Sequence, residues 1–154
     1  MDNRRIAEVF GDIARLLELR GDNAFTVRAY RLAAVTIEEQ PSDLGRMLEE
    51  DRDLTELPGI GKAIAKKIGE MVDTSGLQYY ERLKAEFPED IVELMRLPGI
   101  GPKTVGRLWS QHGITSIATL QRALDDGTLS GFPGLSEKTV DSVRRELSST
   151  GERV

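Results

Sequence analysis

The sequence predicts an all-α protein built of short helices, and three observations carry that prediction. Apolar residues recur at helical spacing along most of the 154 positions, strand-like alternation is almost absent, and 15 Gly and 6 Pro punctuate the chain at short intervals. Ile6, Val9, Phe10, Ile13, Leu16 and Leu17 fall on one stripe, so residues 4–20 read as an amphipathic helix closed by Gly21. Residues 24–38 read as a second. Ser42 is expected to cap a short third helix around Leu44–Glu49, and Pro58, Pro88, Pro98 and Pro133 each mark where one helix has stopped and another can begin. Ser116 is placed to cap a helix running to Asp125, and Ser136 with Glu137 to open a last one through Leu147.

Composition narrows the chemistry. Cys is absent and His occurs once, which removes disulfide frameworks, thiolate nucleophiles, finger-type zinc sites and His-rich metal clusters. No apolar run approaches the roughly 18 residues of a membrane span, so no membrane partner is expected. The start, MDNRRIAEVF, is charged and at once amphipathic, so it reads as neither a secretory nor a transit segment, and a cytoplasmic protein is expected.

Charge is unevenly placed. Lys and Arg number 21 against 26 Asp and Glu, a net of −5, which at face value opposes a polyanionic partner. Residues 40–56 hold six acids and two bases, whereas 23–37 carry Arg28 and Arg31, and 95–112 carry Arg96, Lys103 and Arg107, both without an acid. Two acid-free basic windows in an acidic chain point to local anion sites.

A repeat supplies the motif. Leu57-Pro58-Gly59-Ile60-Gly61-Lys62 recurs forty residues later as Leu97-Pro98-Gly99-Ile100-Gly101-Pro102-Lys103, and a third copy, Phe132-Pro133-Gly134-Leu135-Ser136-Glu137-Lys138, has Ser136 in place of the second Gly. An amphipathic helix follows each copy, with Ile64, Ile68, Met71 and Val72 in the first, Val105, Leu108 and Trp109 in the second, Val140, Val143 and Leu147 in the third. A Pro-Gly-Ile-Gly turn feeding a helix presents unpaired backbone N–H groups at the positive end of the dipole, an anion cradle. The glycines permit positive φ and let a phosphate approach, while Ile60 and Ile100 plug inward. Backbone donors read phosphates and not bases, so recognition is expected to be sequence-independent. Lys62 and Lys66 in the first copy, and Lys103 and Arg107 in the second, add Coulomb attraction. This is the helix-hairpin-helix motif; the third copy reads equally as a packing remnant or a working site. Trp109 and His112 share a stripe with Val105 and Leu108 and read as core or core-edge.

The order Ala29-Tyr30-Arg31-Leu32-Ala33-Ala34, LPGIGKAIAKKI, Leu77-Gln78-Tyr79-Tyr80-Glu81, LPGIGPKTV and GFPGLSEKT resembles the N-terminal region of bacterial X-family DNA polymerases over roughly residues 4–147. It is similar there to the lyase and thumb-like domains of DNA polymerase beta. The resemblance implies a lyase-like helical domain at 1–86 and a second helix-hairpin-helix domain at 87–154, with DNA repair as the setting. In that family a nucleotidyl-transfer palm follows. Such a palm needs carboxylates on a sheet, and Asp51-Arg52-Asp53 reads instead as a solvated charge run, so polymerase chemistry is not expected of these residues.

The resemblance also implies a 5′-deoxyribose phosphate lyase that forms a Schiff base through a lysine, which falls on Lys67. Helical geometry agrees: with Ile64, Ile68 and Met71 buried, Lys67 flanks the stripe while Lys62 and Lys66 point away. Tyr30 falls at a pocket tyrosine, and Arg28 and Arg31 are candidates for the 5′-phosphate. Thr26, Ala63, Gly76 and Tyr79 stand where DNA polymerase beta has lysines. The family further implies a monovalent cation, K+ or Na+, on the carbonyls of Leu57, Ile60, Leu97 and Ile100. The expected protein is a monomer that binds gapped, nicked or single-/double-strand junction DNA, with a polymerase palm domain or repair proteins as further partners. The alternative is a non-catalytic protein-interaction module on the same scaffold.

Overall fold

The computed structural model describes residues 1–152, with side chains through Glu146. Among the described residues there is no strand, and the helices are α1 Asn3–Arg20, α2 Ala24–Glu38, α3 Leu44–Glu49, α4 Lys62–Thr74, α5 Gln78–Lys84, α6 Ile91–Met95, α7 Pro102–His112, α8 Ile117–Asp125 and α9 Glu137–Glu152, with a 3-10 turn at Leu54–Glu56 before α4. The chain divides into two compact units, Met1–Glu86 and Phe87–Val154. Among the described residues no helix is long and apolar enough to cross a membrane.

In the first unit α1 lies against α2 and also meets α5, while α3 and the 3-10 turn meet α4. The α1 stripe does what its spacing dictates: Ile6, Phe10, Ile13, Leu16 and Leu17 are fully buried. Asp2 caps the start through the Arg5 N–H, and Gly21 ends the helix with φ 89°, the left-handed conformation that glycine adopts without steric cost. Gly21 and Asp22 N–H groups then satisfy the carbonyls of Glu18 and Leu17. One cap differs from expectation. α3 is capped by Asp43, whose carboxylate accepts from the Gly45 N–H, and not by Ser42. The reason is tertiary: Asn3 donates to the Ser42 carbonyl at 2.8 Å and accepts from the Leu44 N–H at 2.9 Å, which sets the entry of the chain into α3.

The second unit centres on Leu94, Val105, Leu108, Leu120 and Val143, all fully buried. Contacts run from α6 to α7 and from α8 to α9. Ser116 forms a capping box with Thr119 at the start of α8. The last helix continues past Leu147, whose side chain lies outside the described residues. Trp109 and His112 stay out of the core: Trp109 is 36% exposed beside Phe87, and His112 is exposed with its ring edge-on to Phe132 at 5.6 Å.

Candidate nucleic-acid interface

Three turns in the chain are closed in the same way. Ile60 N donates to Leu57 O at 3.1 Å, Ile100 N to Leu97 O at 3.3 Å and Leu135 N to Phe132 O at 3.4 Å. The first helical bonds follow suit, from Ala65 to Gly61, Val105 to Gly101 and Val140 to Ser136. Gly59, Gly99 and Gly134 take φ of 76°, 82° and 92°, so the first glycine of each turn is the one the conformation demands. The second glycine is different. Gly61 and Gly101 are extended, with φ −85° and −99°, which any residue adopts, so positive φ is a demand of the first glycine of each pair and not, as the sequence suggests, of both. Nothing approaches within 4 Å of where a Cβ on either would stand.

That open space lies over the starts of α4 and α7. Gly61 and Gly101 are the N-caps, and neither helix has a side-chain cap. The N–H groups of Lys62, Ala63 and Ile64 precede the first possible intrahelical acceptor, as do those of Lys103 and Thr104 behind Pro102, which has none to offer. Ile60 and Ile100 are 3% and 4% exposed and pin the turns from below. The third turn is filled by its own chain. Ser136 Oγ accepts from the Thr139 N–H at 3.2 Å and lies 3.0 Å from the Thr139 hydroxyl, so the donor an anion would use is already engaged.

Each turn is seated on a neighbour that the sequence did not disclose. Thr36 on α2 donates to the Pro58 carbonyl at 2.8 Å, and a Cβ on Gly59 would meet Leu32 at 2.6 Å. In the second unit the seating is reciprocal: Gly99 faces Thr139 on α9, and Gly134 faces Thr104 on α7. Thr104 and Thr139 each occupy the third position of their helix. Arg107, read as a phosphate ligand, lies against the third turn, 3.4 Å from where a Gly134 Cβ would stand and 6.0 Å from the Phe132 ring.

The cations are distributed as follows. Lys62, Lys66 and Lys103 are exposed, and Lys67 is half-buried. Lys62 helps hold the Asp53 carboxyl below the usual carboxylate range, an effect that comes first from the Thr55 hydroxyl and N–H. Asp53 thereby caps the 3-10 turn, and Asp51 takes a left-handed conformation after α3, so both acids serve local structure. On α2, Arg31 is paired with Glu18 at 2.8 Å, and Arg28 lies over the Phe25 ring. Tyr30 is only 8% exposed, stacked between Phe10 (5.9 Å) and Tyr79 (6.1 Å), and burial together with Tyr79 pushes its hydroxyl up to about 12. Lys67 Nζ stands 4.9 Å from the centre of the Tyr79 ring, which brings Lys67 and Tyr30 to one locus through Tyr79. The carbonyls of Leu57 and Leu97 each accept one N–H within the turn and keep a second lone pair.

Two open turn-helix cradles, one in each unit, on an all-helical scaffold define a helix-hairpin-helix protein. Residues 1–77 match the helix-hairpin-helix domain family and residues 91–149 the SAM-like helix-hairpin-helix tandem family, and the chain belongs to the helix-hairpin-helix domain family. Among curated proteins it is similar to the DNA polymerase/3′-5′ exonuclease PolX of Bacillus subtilis (strain 168), 32% identical over 153 residues that cover 99% of this chain and 26% of that protein. It is also similar to DNA polymerase lambda of Arabidopsis thaliana, 27% identical over 146 residues covering 94% of this chain and 26% of the relative. The chain thus spans about a quarter of the length of these relatives, and its similarity to X-family polymerases runs over nearly all of its own.

Proposed function

We propose that the chain binds DNA through its phosphates, in DNA repair, with preference for gaps, nicks and 5′ ends. The observation that carries this reading is the pair of helix starts at Gly61 and Gly101 that no side chain caps, which leaves their first backbone donors for an anion. The similarity to two DNA polymerases supports it. Lys62 and Lys66 beside the first turn, and Lys103 beside the second, each add charge next to a cradle, and the acids of residues 40–56 repel duplex that misses the turns. Turn carbonyls of Leu57, Ile60, Leu97 and Ile100 would hold K+ or Na+ against the phosphates. The test is binding of gapped, nicked and intact duplexes against rising salt by the Gly61→Val and Gly101→Val variants. Loss of affinity in the double variant with an unchanged melting temperature is expected, whereas wild-type affinity in it, or binding insensitive to salt, would overturn the proposal.

A lyase activity on the same DNA is part of the proposal. As the free amine, Lys67 would attack the aldehyde carbon C1′ of an opened 5′-deoxyribose phosphate. Loss of water gives the imine, loss of a C2′ proton to solvent breaks the C3′–O bond, and the downstream strand leaves with its phosphate. Water then hydrolyses the imine and returns the amine. Borohydride trapping on incised abasic DNA, largely lost in Lys67→Ala and kept in Lys66→Ala, is the expected result.

A second reading, a protein-interaction module, draws on Phe25, Leu32 and Val35, which are 75%, 50% and 50% exposed along α2. A defined protein complex together with low affinity for every DNA form would favour it.

A further inference from the structure

The adjacent tyrosines of α5 have separate tasks. Tyr80 is buried, and its hydroxyl donates to Asp12 Oδ2 at 2.7 Å; Asp12, fully buried on α1, also accepts from Arg15 Nη1 at 3.1 Å. This bond fixes the rotation of α5 about its axis. Successive residues of a helix point about 100° apart, so with Tyr80 held against α1 the next side chain is delivered elsewhere. Tyr79 comes to lie nearly parallel to Tyr30, at 8° and 6.1 Å, and Tyr30 rests on the fully buried Phe10. An aromatic column therefore runs from the core outward and ends at Tyr79. Over that last ring stands the Lys67 amine, at 4.9 Å from its centre.

This arrangement singles out one lysine of three. Lys62 and Lys66, on the same helix, are exposed, and of the three α4 lysines only Lys67 has, among the described residues, its nitrogen over an aromatic face; Lys84 on α5 stands 4.3 Å from the Tyr80 ring but is paired with Glu81. Among the described residues no carboxylate pairs with Lys67, so the ring is the partner that locates its nitrogen. The uncharged ring attracts an ammonium through its quadrupole without a salt bridge that would tie up the nitrogen. Beneath it Tyr30, with its hydroxyl pushed up to about 12, stays neutral at physiological pH and adds no competing anion.

Resting on the lyase reading above, we infer that Tyr79 is the positioning residue for Lys67, holding its nitrogen where a sugar aldehyde is attacked and thereby selecting it over Lys66 and Lys62. Misplacing an attacking group by about an ångström costs up to roughly a hundredfold in rate, which is the scale on which the ring acts.

The experiment uses the full chain with incised abasic DNA as the probe, borohydride trapping, and peptide mapping of the adduct. The wild type and Tyr79→Phe, which keeps the ring, are expected to carry the adduct on Lys67. Tyr79→Leu keeps apolar bulk without the ring; it is expected to trap roughly tenfold less or worse, with the remaining adduct spread onto Lys66 and Lys62. A merely structural role would lower the yield without moving the adduct between lysines. Wild-type yield confined to Lys67 in Tyr79→Leu overturns the positioning role and leaves the lyase reading standing, whereas a wild type that traps nothing removes both. The geometry has its own readout in the ring-current shift of the Lys67 ε-methylene protons, expected upfield in wild type and Tyr79→Phe; no such shift in the wild type overturns the inference whatever the trapping result.

Discussion

Gly59 packs so closely on Leu32 that a Cβ at residue 59 would sit 2.6 Å from the Leu32 Cγ and Cδ2 atoms. Two residues on, a Cβ at Gly61 would touch nothing. The two glycines of one motif thus differ: the conformation and packing of the fold require the first and not the second. Gly59→Ala must adopt φ near 76° and displace Leu32, so it should lower stability by about 2 kcal/mol in denaturant titrations. Gly61→Ala meets neither obstacle; the entropy of the unfolded chain favours Ala and the N-cap position favours Gly, so stability should change by less than about 1 kcal/mol. On the reading proposed above, its methyl group crowds the helix start, so DNA affinity should fall while stability stays close to wild type. An affinity loss in Gly59→Ala alone would reverse this assignment.

The third turn should contribute stability and not grip. Ser136 is an exposed cap on the Thr139 N–H, and its replacement by Ala should cost about 1 kcal/mol. The dependence of affinity on salt should not change in Ser136→Ala. In Lys103→Ala, by contrast, the slope of log affinity against log salt should shrink by roughly one. Titrations at several salt concentrations decide the matter, and a reduced slope in Ser136→Ala would show that the third turn does reach phosphate.

What could be read from the sequence was what local chemistry dictates. The turns were legible because Pro, Gly and Ile at fixed offsets allow few conformations, and α1 because Ile6, Phe10, Ile13 and Leu17 repeat at helical spacing. The seats of the turns were not legible, since Thr36, Leu32, Thr104 and Thr139 are unremarkable helix residues until the chain folds back on them. The misplaced α3 cap has the same origin: Ser42 and Asp43 are both good caps, and Asn3, some forty residues away, decides between them. The place of Arg107 beside the third turn was not legible for the same reason, since Phe132 and Gly134 are brought to it only by the fold. The adjacent Tyr79 and Tyr80 are plain in the sequence, but their division of labour depends on Asp12, 68 residues away from Tyr80.

Alkaline titration should expose the buried column. The Tyr30 hydroxyl is pushed up to about 12 from the ordinary 10, chiefly by burial. Between these values the unfolded chain has released the proton and the folded one has not, so unfolding releases a proton and stability falls as pH rises. The contribution is fully present below pH 10 and lost through about 12, an effect on the order of 2 kcal/mol. Tyr30→Phe should lose that much less over the same interval, measured as the difference between the two proteins' denaturant midpoints at pH 9 and at the highest pH the fold tolerates. Equal losses in both would show that another group carries the alkaline transition.

The bond between Tyr80 and Asp12 should be worth more than its exposed counterparts. Asp12 is fully buried, and the Tyr80 hydroxyl is one of the donors that make its charge tolerable there. Hydrogen bonds to charged groups contribute roughly 1.5–3 kcal/mol, and removal of one donor leaves the other partner with part of its desolvation cost uncompensated. Tyr80→Phe should therefore destabilise the chain by about 2 kcal/mol while changing its volume little. By comparison, Arg5→Ala breaks an exposed pair with Glu8 and should cost under about 1 kcal/mol. Because α5 is oriented by this bond, Tyr80→Phe should also loosen Tyr79, reducing the ring-current shift on the Lys67 ε-methylene protons in a variant that is still folded. A Tyr80→Phe protein with wild-type stability and an unchanged Lys67 shift would mean that the Tyr79–Tyr30 stack alone orients the helix.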